Sequence, residues 1–265
     1  MLLSAPGASL YYEVRGAGPT LVFVCGGPTD ADVFAPIADA LADRYKVVTY
    51  DPRGNSRSVI DPIVDQDMDV HGDDVARLID HVGGAPAYLF GNSGGGQIGM
   101  NALARHGDKI AALIAHEPPC ITLLPDGAEV MAGMERAHEL AQNDVMAGFG
   151  AFMALTGIDM TPPPGRKPET SERMKANLAY FTRHGILQIA SYRPDLEALR
   201  RGKLVVGVGA ESVGQLAHRT GMALAEALPV GAVLFPGGHG GYSRYVPEFA
   251  EAIIHAFAQI SSPTV

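Results

Sequence analysis

The first residues that suggest chemistry are "GNSGG" at 91–95, which fit the pattern G-x-S-x-G around Ser93. A short apolar run at 87–90 precedes them, and a helical pattern at 95–105 follows. A serine on a sharp strand-to-helix turn points its hydroxyl into a cleft, and the flanking glycines let strand and helix approach closely. A flexible glycine loop is the alternative in a chain with 32 glycines, but the strand-to-helix context favours a nucleophile.

A nucleophilic serine needs a base, because a neutral hydroxyl attacks a carbonyl poorly. The stretch "LFPGGHGGY" supplies His239 late in the chain, with glycines that free the backbone to turn the imidazole inward. We therefore predict that His239 is the general base. Seven other histidines fall in helical patterns and are expected to be structural: His71, His81, His106, His138, His184, His218 and His255.

Acyl transfer also needs N–H donors for the oxyanion that forms on the attacked carbonyl. One donor is expected from Gly94, the residue after the nucleophile, and the other from a loop after an earlier strand. The stretch "VFVCGGPTD" places Gly27 in such a loop, where a glycine lets the backbone approach a substrate oxygen. A plain strand-to-helix turn is the alternative for this loop. We expect the neighbouring Cys25 to be a buried thiol that fills space.

These residues must be positioned by a sheet. Seven short apolar runs predict strands, and most carry no charge, as in a parallel sheet that is buried on both faces. The runs are Leu10–Val14, Thr20–Val24, Val47–Tyr50, Ala87–Phe90, Ala111–Ala115, Leu204–Val208 and Ala232–Phe235. Helical patterns lie between them at 31–43, 70–81, 95–105, 215–228 and 247–258. This alternation predicts an α/β fold with a mostly parallel central sheet and helices on both faces.

The alternation stops between residues 118 and 203. Helical patterns at 128–142, 145–155 and 169–183 surround the loop "TPPPGRKP", and no convincing strand occurs there. We predict an α/β core of residues 1–117 and 204–265, with a helical cap inserted at 118–203. Many apolar residues of the cap should pack against one another, and together they predict an adaptable apolar pocket. They are Met131, Met134, Met146, Phe149, Phe152, Met153, Leu155, Met174, Leu178, Tyr180 and Phe181.

The order of the early glycine turn, "DPRGNSRS" at 51–58, the serine motif, the helical insertion and the late Gly-His-Gly resembles the α/β-hydrolase fold superfamily. The resemblance covers essentially the whole chain and implies a Ser–His–acid triad. It also implies that the loop at 51–58 shapes the floor of the active site without joining the reaction. We accordingly expect structural roles for Asp51 and Arg53.

The acid of the triad is open between two carboxylates. Many α/β-hydrolases carry it after the strand that follows the cap, where "VVGVGAES" has Ser212 in place and Glu211 beside it. A serine cannot carry the charge that stabilises an imidazolium. Some members carry the acid at the end of the strand before the cap, where "LIAHEPP" has Glu117. We favour Glu117 and keep Glu211 or an unrecognised acid as alternatives; in those cases Glu117 caps the turn or pairs with an arginine.

The segments "HEPP", "VVGVGAES" and "LFPGGHGGY" further resemble zearalenone lactonases, which are α/β-hydrolases of similar length. The resemblance implies a Ser–His–Glu triad that opens a macrocyclic lactone, and it fades in the cap. Those enzymes hold the aromatic ring of the substrate against a cap tryptophan, whereas this chain has no tryptophan. The resemblance therefore supports the fold and the triad better than the substrate.

Composition restricts the partners. Lys and Arg total 20 against 29 Asp and Glu, and this net charge of −9 argues against nucleic acid or an anionic membrane as a partner. The N-terminus lacks a basic stretch before an apolar run, so we expect a soluble, cytoplasmic protein without a membrane partner. With two cysteines and no histidine pair at ligand spacing, we expect no metal and no cofactor. A homodimer is compatible with the sequence.

We predict a serine hydrolase that cleaves a carboxylic ester or lactone of a hydrophobic small molecule through an acyl-enzyme intermediate. The alternatives are a cofactor-free peroxidase or carbon–carbon hydrolase with the same triad, and a ligand receptor without turnover. The stretch "CGGP" is similar to part of the proline iminopeptidases, but Cys25 and the missing acid after the cap argue against an aminopeptidase. Dehalogenases and epoxide hydrolases of this fold carry an aspartate where Ser93 stands.

Overall fold

A computed structural model describes residues 1–158 and 171–261 of the chain. Its strands are β1 (Leu2–Ala5), β2 (Ala8–Arg15), β3 (Thr20–Val24), β4 (Lys46–Tyr50), β5 (Val59–Ile60), β6 (Ala87–Asn92), β7 (Ile110–His116), β8 (Leu204–Gly209) and β9 (Ala232–Phe235). They form one sheet in the order β1-β2-β4-β3-β6-β7-β8-β9, with β5 paired to β2. The six strands from β4 to β9 in this order are parallel, and β1, β2 and β5 are antiparallel. The predicted mostly parallel sheet is confirmed, and β1 and β5 are additional strands whose short, largely exposed segments gave no sequence signal.

Helices cover both faces of the sheet, as predicted. They are α1 (Ala35–Leu41), α2 (Met68–His81), α3 (Gly94–Arg105), α4 (Gly127–Asn143), α5 (Val145–Thr156), α6 (Glu172–His184), α7 (Ile186–Ser191), α8 (Leu196–Arg201), α9 (Leu216–Ala227), α10 (Gly241–Arg244) and α11 (Val246–Ser261). The helix predicted at 31–43 is divided into a 3₁₀ turn, Ala31–Phe34, and α1. Pro36 lies in the first turn of α1, where its missing N–H costs no hydrogen bond. In the described part of the chain, no helix has the length and apolar character that a membrane span requires.

The core lies on both faces of the sheet because successive side chains of a strand point to opposite faces. In β3, Leu21 and Phe23 join the cluster that contains α1 and α11, whereas Val22 and Val24 join the cluster that contains α2 and α3. All five residues of β3 are buried. A rigid, doubly covered sheet therefore supports the ends of the strands, where the loops carry the predicted site residues.

A helical segment connects β7 to β8. In its described residues, 118–158 and 171–203, this segment contains α4 to α8 and no strand. The predicted loop "TPPPGRKP" and the start of the helix predicted at 169–183 lie outside the described residues. Gln97 anchors this segment to α3, because its Nε2 donates to the carbonyl oxygens of Pro119 and Ile189 at 3.0 Å each.

The contacts of α3 with β3 and β6 require glycine. A Cβ at Gly95 would lie 2.0 Å from the carbonyl oxygen of Val24, and a Cβ at Gly91 would lie 2.3 Å from the carbonyl oxygen of Gly95. Both distances are too short for a carbon atom, and the atoms in the way belong to the backbone. The glycines of the serine motif are therefore required by close packing, and they are not a sign of a flexible loop.

We expect Gly95→Ala to lower the free energy of unfolding by about 3 kcal/mol, at the upper end of the usual cost of overpacking. The control is Gly150→Ala in α5, where a Cβ would have no neighbour within 4 Å. That variant should be more stable than the native protein by about 1 kcal/mol, because alanine is the better helix former. Urea unfolding of both variants measures the difference, and a Gly95→Ala protein as stable as the native one would contradict the packing argument.

Candidate active site

Ser93 occupies the turn between β6 and α3 in a strained conformation, with φ 59° and ψ −129°. A non-glycine residue with positive φ usually costs on the order of 1–3 kcal/mol. Such a conformation persists only where the surrounding structure fixes it. Here the N–H of Ser93 donates to the carbonyl oxygen of His116 at 2.9 Å. The carbonyl oxygen of Ser93 in turn accepts a hydrogen bond from the N–H of Gly96 at 2.8 Å. Ser93 thus lines a cavity at the carboxyl edge of the sheet, at the N-terminus of α3, where negative charge is stabilised.

His239 reaches the same cavity from the loop that follows β9. Its Nδ1 lies 2.8 Å from Oε2 of Glu117, and its side chain is 11% exposed. Because an ionised carboxylate only accepts hydrogen bonds, Nδ1 carries the proton in this pair. In this tautomer of the neutral imidazole, Nε2 is the nitrogen that can accept a proton.

Glu117 directly follows β7 and is fully buried, with φ 47°. Its Oε1 accepts hydrogen bonds from the N–H of Gly209 at 2.9 Å and from the hydroxyl of Ser212. Burial by itself raises the pKa of Glu117, but the hydrogen bond from His239 and the nearby His116 outweigh burial and lower this pKa to about 2. The buried carboxylate is therefore ionised at neutral pH and has a hydrogen-bond donor on each oxygen.

Glu211 lies elsewhere in the site. Its side chain is exposed and accepts a hydrogen bond from the hydroxyl of Tyr245 at 2.6 Å, although the residue also lines the cavity. Ser212, at the position where many relatives carry the acid, instead donates to Glu117. In the structure, His239 is therefore hydrogen-bonded to Glu117, whereas Glu211 is hydrogen-bonded to Tyr245.

The two predicted oxyanion donors lie on neighbouring segments, Gly27 in the loop after β3 and Gly94 at the start of α3. Gly27 has φ 58° and lines the cavity, and a Cβ at Gly26 would lie only 2.5 Å from the backbone nitrogen of Gly94. In the described part of the chain, no residue accepts a hydrogen bond from the N–H of Gly27 or of Gly94. Gly27 therefore lines the cavity with an N–H that has no partner among the described residues. The N–H of Gly94 likewise has none there, but Gly94 is not among the residues that line this cavity.

The cavity that Ser93, His239, Glu117 and Gly27 line has a volume of about 330 Å³. The helical segment contributes most of its apolar wall, and five of the predicted pocket residues line it: Met134, Phe149, Phe152, Met153 and Phe181. The other six predicted residues lie outside the lining, including Met146, whose side chain is exposed. Gln215, Ser243 and Arg244 make the opposite wall more polar.

The loop at 51–58 supports the site without contributing a catalytic group to the cavity. Asp51 is buried and accepts hydrogen bonds from the N–H of Ala31 at 2.9 Å and from Arg57. Arg53 forms a buried ion pair with Asp74, with Nε 2.7 Å from the carboxylate. These contacts are structural and match the expectation for Asp51 and Arg53.

Two buried polar residues beside Ser93 and Glu117 are missing from the predictions made from the sequence. His116 precedes Glu117, and its Nδ1 lies 2.7 Å from Oδ1 of Asn92, the residue before Ser93. Burial lowers the pKa of His116 to about 4, so the ring is neutral at pH 7 and Nδ1–H donates to Asn92. Their adjacency in sequence to Ser93 and Glu117 is the signal that could have identified them.

Both cysteines are buried, and burial raises the pKa of the Cys120 thiol to about 12 and that of Cys25 further. Neither thiol ionises at neutral pH. Cys25 is therefore a buried, unreactive side chain that packs beside the Gly26–Gly27 loop, as expected. Within the ranges that the structure describes, no group of three His, Cys, Asp or Glu side chains is arranged to hold a metal ion.

Comparisons with known proteins agree with this architecture. The sequence profile of the alpha/beta hydrolase fold matches residues 19–158. YraK, an uncharacterized hydrolase of Bacillus subtilis, is 36% identical over 258 residues, which cover 95% of this chain and 93% of that protein. An esterase from Thermogutta terrifontis superposes with a TM-score of 0.71 at 21% identity, covering 98% and 97% of the two chains. Est816, described as an N-acyl homoserine lactone degrading enzyme, superposes with a TM-score of 0.70 at 20% identity, covering 96% and 99%.

Proposed function

Because the chain belongs to the α/β-hydrolase fold family, we propose that it is a serine hydrolase that cleaves carboxylic esters or lactones of hydrophobic small molecules. The observation that carries the proposal is the convergence of Ser93, His239 and Glu117 on one cavity that Gly27 also lines. A hydrolase relative at 36% identity and solved esterase and lactonase structures of the same fold support the reaction class.

In the proposed reaction, Nε2 of His239 takes the proton of Ser93 Oγ as this oxygen attacks the substrate carbonyl. The tetrahedral intermediate collapses to an acyl-enzyme when the bond to the alcohol oxygen breaks, and His239 returns the proton to that oxygen. A water molecule then attacks the acyl-enzyme and loses its proton to His239. Collapse of the second intermediate releases the carboxylic acid and restores the hydroxyl of Ser93.

Glu117 contributes by orienting and stabilising the imidazole. The hydrogen bond from Nδ1–H to Oε2 selects the tautomer in which Nε2 carries no proton and can accept that of Ser93. The negative charge of Glu117 also stabilises the imidazolium that forms after proton transfer. Gly209 and Ser212 fix Oε1, so that Oε2 is left for His239.

The N–H groups of Gly27 and Gly94 would stabilise the oxyanion. A fixed donor of this kind contributes roughly 3–4 kcal/mol to transition-state binding. Their backbone positions are held by close packing of Gly26 against Gly94, so the donors need little reorganisation during the reaction.

The cavity supports a hydrophobic substrate. Its volume of about 330 Å³ is at the lower end of the range of small-molecule pockets. Phenylalanine and methionine side chains of α4 to α6 line the cavity together with Ser93, and we propose that this helical segment acts as the cap of the active site. Methionine adapts to irregular ligands, so the pocket accepts apolar groups of more than one shape.

Labelling with a fluorophosphonate probe distinguishes a serine hydrolase from a ligand receptor of the same fold. We expect one adduct per chain, located at Ser93 by peptide mass spectrometry, and turnover of at least one substrate in a panel of alkyl and aryl esters and lactones that includes a resorcylic macrolactone. The phosphonyl group should react because Ser93 is activated by His239. Ser93→Ala should remain unlabelled. Tight binding of a panel compound without labelling or turnover would favour a receptor and contradict the proposal.

A further inference from the structure

A second, smaller cavity lies on the other side of the loop that carries the proposed oxyanion donor. Gly26 and Gly27 line both cavities, and Gly94 lines the smaller one together with His71, Asn55 and other residues. Its volume available to the centre of a water molecule is about 10 Å³. A cavity that accepts the centre of a water molecule has room for the roughly 10–15 Å³ that one water sphere occupies.

The walls of this small cavity carry polar atoms with unmet hydrogen-bonding needs. His71 and Asn55 are each only 1% exposed. In the described part of the chain, nothing is hydrogen-bonded to Nδ1 or Nε2 of His71 or to Oδ1 of Asn55. A buried polar group without a partner usually costs about 1–3 kcal/mol, so two residues with such atoms in the lining of one cavity indicate a bound ligand.

The orientation of the Asn55 amide is fixed by its surroundings. Nδ2 donates to the carbonyl oxygen of Gly27 at 3.1 Å and to that of Thr29 at 2.7 Å. If the amide were turned over, Oδ1 would face two acceptors, which is unfavourable. Oδ1 must therefore lie away from these two carbonyls, and it needs a donor that no described side chain provides.

A water molecule between His71 and Asn55 could supply this donor, because the His71 ring is neutral and can hydrogen-bond to water. Burial, and then the nearby Arg53, lower the pKa of His71 to about 3. At neutral pH one ring nitrogen is a donor and the other an acceptor. A water molecule that accepts from or donates to His71 still has a proton to donate to Asn55.

We propose that the small cavity binds one water molecule, hydrogen-bonded to a ring nitrogen of His71 and to Oδ1 of Asn55, and that His71 thereby positions the Gly26–Gly27 loop. Asn55 transmits the effect, because its amide holds the carbonyl oxygens of Gly27 and Thr29. With Oδ1 paired, the side chain of Asn55 is fixed at both ends. His71 is thus a positioning residue that does not contact the substrate.

The proposed water site does not depend on the proposed function, whereas its effect on catalysis does. A crystal structure of the native protein, at a resolution that shows ordered water, tests the site directly. We expect one water peak at about 2.7–3.2 Å from a ring nitrogen of His71 and from Oδ1 of Asn55. An empty cavity would overturn the proposal whether or not the protein hydrolyses esters.

His71→Phe tests the positioning role in solution, since it retains a ring but removes both nitrogens. We expect kcat for the best ester to fall about tenfold with KM within about twofold, a smaller loss than the 10²- to 10³-fold caused by removal of an oxyanion donor. His71→Gln, which again offers a donor and an acceptor, should restore most of kcat.

The matched control is His81→Phe, the same replacement on the same helix at an exposed residue that is bonded to Tyr12. It should keep the native kcat. Native kcat in His71→Phe, together with a urea midpoint above that of the native protein, is the result expected of a dry cavity and overturns the proposal. If His71→Phe does not fold, the crystal structure and His71→Gln still decide.

Discussion

Replacement of Ser93 by alanine is expected to lower kcat for ester hydrolysis by roughly 10⁴- to 10⁶-fold. Without the hydroxyl no acyl-enzyme forms, and only substrate binding and the free N–H groups of Gly27 and Gly94 remain to promote attack by water. The strained backbone at φ 59° is already occupied by a residue with a Cβ, so alanine adds no new steric conflict. The fold should persist, and urea unfolding of the variant should match that of the native protein.

Ser243→Ala is the matched control for this experiment. Ser243 lines the same cavity, but its hydroxyl donates to the carbonyl oxygen of Gly240 at 2.9 Å and is not placed to attack a substrate. We expect its kcat to stay within about threefold of the native value, because the variant leaves Ser93 and His239 in place. Both variants are measured on one ester under saturating conditions. Undiminished hydrolysis by Ser93→Ala would reject Ser93 as the nucleophile.

Replacement of Glu117 by glutamine is expected to lower kcat by roughly 10³- to 10⁴-fold, as for the corresponding change in other triads. Gly209 and Ser212 both donate to Oε1, so the carbonyl oxygen of the new amide should occupy that place. The amide nitrogen must then face Nδ1 of His239. This pairing makes Nδ1 an acceptor and puts the proton on Nε2, where it prevents the ring from accepting the proton of Ser93.

Glu211→Gln distinguishes the two candidate acids. Glu211 also lines the cavity but is exposed and bonded to Tyr245, so the loss of its charge should change kcat less than about threefold. The two variants replace the same side chain by the same isostere within one site, which makes the comparison direct. A large loss in Glu211→Gln with near-native activity in Glu117→Gln would transfer the role of the acid to Glu211.

The sequence was most informative where chemistry and backbone geometry are encoded locally. The stretch at 91–95 predicts a tight strand-to-helix turn, and the observed turn has Ser93 at positive φ with glycines packed where no Cβ fits. The strands β3 and β9 begin and end as predicted. Their apolar runs are short, uncharged and bounded by turn residues, so both strands can be located in the sequence itself. Burial on both faces holds for β3 but not for β9, because β9 lies at the edge of the sheet and Leu234 is 65% exposed. The short, exposed strands β1 and β5 carry no such pattern.

By itself, then, the sequence determined the α/β fold and the positions of the serine motif and of the late histidine, because each depends on patterns within a few residues. Only the tertiary structure decided which carboxylate meets His239. Glu117 and Glu211 both follow strands at one edge of the sheet, and the choice depends on the pairing of β7 with β8, which gives Glu117 the N–H of Gly209 and the hydroxyl of Ser212. His71 shows the same limit. Its helical pattern predicts a structural histidine, but whether buried nitrogens find partners depends on chain segments that are distant in sequence.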